Sequence, residues 1–81
     1  GDIFGSADSQ NILALCYLAE GAILEGEAIL EQTALNLQGN ELHPVYIRNR
    51  VNIVQAYIRQ RQFDKCLEVV EDLQIPIEFC K

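Results

Sequence analysis

Between Val51 and Pro76 the chain reads VNIVQAYIRQRQFDKCLEVVEDLQIP, two apolar-striped segments set too close together to do anything but fold back on each other. Ile53, Val54, Tyr57 and Ile58 recur with helical spacing, and so do Cys66, Leu67, Val69, Val70 and Leu73. Neither half alternates as a strand would. Arg59-Gln60-Arg61-Gln62 between them is polar and only long enough for a turn. An antiparallel helical hairpin is the arrangement in which each segment buries its stripe.

The spacing inside this hairpin resembles the tetratricopeptide pattern. Ile53 and Val54 stand at its Leu-Gly, Tyr57 at its Tyr, Phe63 at its second aromatic and Cys66 at its small residue. Val70, Leu73 and Pro76 follow at its later positions, while its Trp and both its glycines are absent. An ordinary helical hairpin is the other reading. At Cys66 the second helix is expected to cross the first, so a small side chain lets the backbones approach, with Tyr57 and Phe63 filling the space beside it.

At 81 residues the chain is expected to be one small domain, 1–81, which buries only about 60% of its unfolded surface. The hydrophobic share of 49% excludes a disordered segment, and no apolar run approaches the length of a membrane span. No signal peptide is visible. Cys16, Cys66 and Cys80 are an odd number without metal spacing and read as buried, reduced thiols of a cytoplasmic protein. The net charge of −6 is unevenly spread: residues 1–42 carry seven acids and no base, residues 43–81 six bases and five acids. Arg48, Arg50, Arg59, Arg61 and Lys65 gather around the third helix, where they suit a solvated face or a docking strip for an acidic partner. The acidic first half argues against nucleic acid.

Taken in order, residues 1–7 read as a loop, with Asp8 or Ser9 capping a first helix. Eight apolar residues follow without a break, Ile12 to Ala19. They cover every side of a helix, and so small a domain has little interior to surround one: either the 1–7 loop and the fourth helix roof it or, as expected here, one face awaits another polypeptide. Gly21 stops this helix. The next is expected from Ile23 to Gln38, with Leu24, Ala28, Leu35 and Leu37 inward and Gly26 permitting close packing on the first helix. Gly39 stops it, Asn40 to Pro44 link, and Pro44 opens a third helix that runs to Gln60. The fourth is expected from Gln62 to Gln74, followed by an apolar tail, 75–81. Setting Leu15-Cys16 on Ile53-Val54 and Ala28 on Cys66 relates the two hairpins by an offset of 38 residues. The fold class is therefore all-α: four main helices in two antiparallel hairpins, tetratricopeptide-like.

No constellation of acid, base and nucleophile is visible, and no metal or cofactor motif. His43, the only histidine, reads as a cap or loop residue before Pro44. A binding module is expected rather than an enzyme. In a tetratricopeptide-like array the first helix of each pair lines a concave face. Arg48, Val51, Gln55, Ile58 and Arg59 would face it from the third helix, and Leu13 and Tyr17 from the first. That strip suits an amphipathic helix.

From Asn11 to Phe79 the chain resembles the small tetratricopeptide-like chaperones of type III secretion needle subunits. The resemblance rests on the short apolar first helix before Gly21, on Glu27-Ala28 and Leu35-Asn36-Leu37-Gln38-Gly39, and on the hairpin turn Arg59-Gln60-Arg61-Gln62-Phe63. Members commonly carry Gly in that turn, where this chain has Arg61 or Gln62. The resemblance implies a cytoplasmic protein that pairs with a second, smaller helical co-chaperone. Together they would sequester the needle subunit's amphipathic C-terminal helix and prevent early polymerisation. The alternatives are a scaffold module of a longer repeat protein and, third, a small nucleic-acid-associated helical domain.

Overall fold

The computed structural model describes residues 2–73, which form α1 (Ile3–Ala19), α2 (Ile23–Asn36), α3 (Pro44–Arg59) and α4 (Phe63–Leu73). The architecture is the expected one, all-α and built from two antiparallel hairpins. α1 packs on α2 and on α3, α2 packs on α3, and among the described residues α4 packs on α3 alone. The expected tail, 75–81, lies outside the described residues, as do Pro76 and Cys80.

The chain's first residues are helix, not loop. Asp2, rather than Asp8 or Ser9, caps α1, its carboxylate accepting from the Phe4 amide at 3.1 Å. The extension is anchored by packing: Ala7 joins Leu37 and Val45 in a small core of its own, with Phe4 and Tyr46 against it. His43 caps α3, its Nδ1 accepting from the Val45 amide at 3.1 Å, and its ring stacks on Phe4 with centroids 3.7 Å apart. Pro44 takes the first helical position, where its missing N–H costs nothing.

The inward face of α2 differs from the expected one. Gly26, Leu30, Thr33 and Leu37 are buried, whereas Leu24 and Leu35 are 67% and 59% exposed and Ala28 is exposed with them. Close approach to α1 decides this. A Cβ on Gly26 would lie 2.9 Å from Leu18 Cδ2 and 3.1 Å from the Ala14 carbonyl oxygen. Only glycine fits that crossing, so the stripe containing it must face inward and the one containing Leu24 must face out. Phe63 also stands exposed rather than beside the crossing of the second hairpin, where Tyr57 is buried. The helix itself stops at Asn36, two residues before Gln38, because Leu37 turns into the core.

The two hairpins repeat each other at an offset of 40 residues, not 38. α1 ends at Ala19 and α3 at Arg59, and α2 begins at Ile23 and α4 at Phe63. After each first helix comes the same double closure. Gly21 N donates to Leu18 O and Ala22 N to Tyr17 O; Arg61 N donates to Ile58 O and Gln62 N to Tyr57 O. The crossing residues correspond too. Gly26 lies against the Ala14 carbonyl, and Cys66, 40 residues on, places its Sγ 3.7 Å from the Val54 carbonyl.

This closure requires positive φ at its pivot, 88° at Gly21 and 58° at Arg61. An L residue there carries about 1–2 kcal/mol of steric cost that glycine does not. Arg61→Gly is accordingly expected to raise stability by about 0.5–1 kcal/mol, glycine's greater unfolded freedom taking back part of the gain. Chemical denaturation checks this, and a lower midpoint for the variant would contradict it.

Candidate protein-docking faces

Where α1, α2 and α3 meet, the core is polar. Asn49 is fully buried and donates from Nδ2 to Asn11 Oδ1 at 2.9 Å and to Leu30 O at 3.0 Å. Asn11 in turn donates to Val45 O at 3.2 Å, and Arg50 Nε donates to Asn49 Oδ1 at 2.9 Å. This node fixes which side of each helix faces its neighbours. Residues two apart on a helix point about 200° away from each other. Leu13 therefore points away from α3, since Asn11 points toward it, and Val51 points away from α1 for the same reason.

The seven residues expected to share one strip are thus divided. Leu13 and Tyr17 lie with Cys16 and Glu20 on the outer side of α1, where the Cys16 thiol is exposed rather than buried. Val51 and Ile58 lie on the opposite side of α3, beyond the α1–α3 contact. Arg48, Gln55 and Arg59 follow the seam between the two helices at helical spacing, with Asn52. There Arg48 pairs with Asp8 at 3.2 Å, and Arg59 Nη1 donates to Leu18 O at 2.6 Å. A depression along this seam is lined by Asp8, Asn11, Ile12, Leu15, Arg48 and Asn52. Physically, the split arises because Ile12 to Ala19 is apolar on every side, so that stretch carries no signal for which face turns inward.

The offset of 40 residues explains the outer side of α3. On α1 the stripe of Ala7, Asn11 and Leu18 is covered, and Asn11 and Leu18 are each 2% exposed. Its counterparts on α3 are Ile47, Val51 and Ile58. Val51 and Ile58 are 46% and 50% exposed, and Ile47 is exposed beside them. Leu67 on α4, the counterpart of Glu27, is exposed as well. Among the described residues the α3–α4 hairpin thus carries, uncovered, the face on which the α1–α2 hairpin receives a helix. The sequence pattern does not single out Ile47, and it sets Leu67 in the stripe that the fourth helix buries, whereas Leu67 is exposed. The signal for Ile47 was its place one turn before Val51.

The covered face shows how such a docking is sealed. Tyr57 OH donates to Glu31 Oε1 at 2.9 Å, and the same oxygen lies 3.9 Å from Arg50 Nη1. Burial pushes the Tyr57 phenol up to about 12, aided by the bond to Glu31 and by the negative charges of Glu31 and Glu27, with Arg50 opposing. Gln60 Nε2 donates to Glu27 Oε1 at 2.6 Å. An apolar centre is therefore edged by polar pairs from α2 to α3. Among the described residues no three His, Cys, Asp or Glu side chains converge to hold a metal, and no helix is long and apolar enough to cross a membrane.

Comparison with known protein families, curated proteins and solved structures finds no match to this chain.

Proposed function

We propose that this chain is a protein-binding domain that holds an amphipathic helix on the outer face of its second hairpin. One observation carries the reading: Ile47, Val51 and Ile58 stand exposed at positions whose counterparts on α1 are covered by a helix. Ile47, Val51 and Ile58 still show 39%, 46% and 50% of their surface, so covering all three stabilises by roughly 2–4 kcal/mol, and a useful affinity needs Leu67, 60% exposed, to be covered with them. The partner on this reading is a helix with apolar residues at one-turn spacing, as in helix-in-groove recognition.

The specific form of the proposal is that suggested by the likeness to needle-subunit chaperones. The held helix would be the C-terminal helix of a type III secretion needle subunit, kept from polymerising in the cytoplasm together with a small helical co-chaperone. What supports this form is the resemblance in sequence together with a face shaped for one helix. A scaffold repeat of a longer protein would use the same face for its next helix.

Ile58→Asp is expected to abolish retention of a co-expressed needle subunit while leaving the melting temperature of the isolated chain within about 2 °C, because an exposed side chain contributes little to stability. Pull-down of the purified pair measures the first and calorimetry the second. Undiminished retention would overturn the proposal.

A further inference from the structure

We infer that the outer face of α1 is the mate of the outer face of α3, so that copies of this chain associate head to tail. The inference rests on reading the α3 face as helix-receiving, as proposed above, and adds the helix that fits it.

In the chain itself, α3 presents Ile53, Ala56 and Tyr57 to the first hairpin, all buried. Forty residues earlier α1 carries Leu13, Cys16 and Tyr17, of nearly the same size and chemistry, and these lie on its outer side. Each end of the molecule therefore holds one half of a contact that the molecule already makes internally.

The polar partners repeat as well. Glu71 stands 40 residues after Glu31 and is exposed on α4. Tyr17 of a second copy would meet it as Tyr57 meets Glu31. Arg48 and Asp8 are themselves 40 residues apart and pair within the chain at 3.2 Å. Stacking a second copy two repeats further on, one whole molecule along, sets its Asp8 beside the Arg48 of the copy before it, so the two signs alternate along the stack. Volumes compensate across the joint. Within the chain Val45 shares a core with Ala7, and between copies Gly5 would face the larger Ile47. Asn49 meets Asn11 inside, whereas Ser9 would face Val51 outside, so a buried polar pair is replaced by a smaller and less polar one. The contact is heterologous, using different patches on the two copies, and builds an open array or a ring. It occupies the same α3 face as a partner helix, so self-association and partner binding exclude each other.

Sedimentation velocity of three species tests this: the wild-type chain, Leu13→Glu and Val51→Glu. Both sites are exposed, and circular dichroism confirms that each variant keeps its helices. The wild-type mass is expected to rise with concentration between about 10 and 300 µM, the range of a small interface. Each variant alone should stay a monomer, because it lacks one of the two faces. Their equimolar mixture should form a dimer and nothing larger, because only one intact joint is possible. Glu71→Lys should weaken wild-type association about tenfold through the lost Tyr17 partner. A monomer throughout for the wild type, association of either variant alone, or a mixture that stays monomeric would each overturn the inference. Leu13→Glu leaves the α3 face intact, so it should still retain a needle-subunit helix. Loss of that retention would count against the proposed function instead.

Discussion

Asn49→Leu is expected to cost about 2–4 kcal/mol despite matching the native volume, because it strips Asn11 Oδ1 and Leu30 O of a buried donor. For a domain of this size total stability is about 4–12 kcal/mol, so the variant loses a large share of it. Asn11→Leu should cost about 2 kcal/mol by the same reasoning, leaving Asn49 and Val45 O short of partners. The double variant Asn11→Leu/Asn49→Leu should cost clearly less than the sum, since two apolar residues leave each other nothing unsatisfied. Urea denaturation of the four proteins measures the cycle. Strict additivity would mean that the two amides do not act as one node.

The second large effect belongs to Gly26. Gly26→Leu is expected to destabilise by about 2–3 kcal/mol, the overpacking of a tight helix crossing outweighing the better helix propensity of leucine. The Ala14 carbonyl at 3.1 Å is backbone and cannot step aside as Leu18 Cδ2 can. Cys66→Leu, at the equivalent and less buried crossing, should cost about 1–2 kcal/mol. Ala28→Leu, on the exposed side of α2, should stay within about 0.5 kcal/mol of wild type. Thermal melts of the three variants check the order. Equal losses at Gly26 and Ala28 would contradict the assignment of the inward face.

Helix boundaries were legible where a glycine or a proline sets them, but not at the start of α1, where the Asp2 cap competes with Asp8 and Ser9 and packing decides. Gly21, Gly39 and Pro44 act through their own φ, so the first break, the linker and the start of α3 were in place before any contact was considered. Faces were legible only where apolar and polar residues alternate along a helix. They do so on α3, where Ile53 and Tyr57 were read as inward and are buried. They do not on α1, which is apolar on all sides, nor on α2, where size misled. Leu24 and Leu35 are larger than Gly26 and Thr33, yet the close crossing sends the small residues in. The buried amides of Asn11 and Asn49 were invisible for a related reason: a polar residue in a helix reads as solvated unless its partner, 38 residues away, is known. Of the residues expected to share one strip, Val51 and Ile58 are exposed on one side of α3, and their separation from Leu13 and Tyr17 depends on the register that this amide pair sets.

The claim that the outer face of α3 receives a helix is tested most directly by methyl chemical-shift mapping. The titrant is a synthetic peptide of a needle subunit's C-terminal helix, and the protein carries Leu13→Glu to keep it from self-associating. Shifts are expected at Ile47, Val51, Ile58 and Leu67, with Leu24 and Leu35 unmoved. Shifts centred on Leu24 and Leu35, or none at any of the six at peptide concentrations up to about 1 mM, the weak limit of specific recognition, would contradict it.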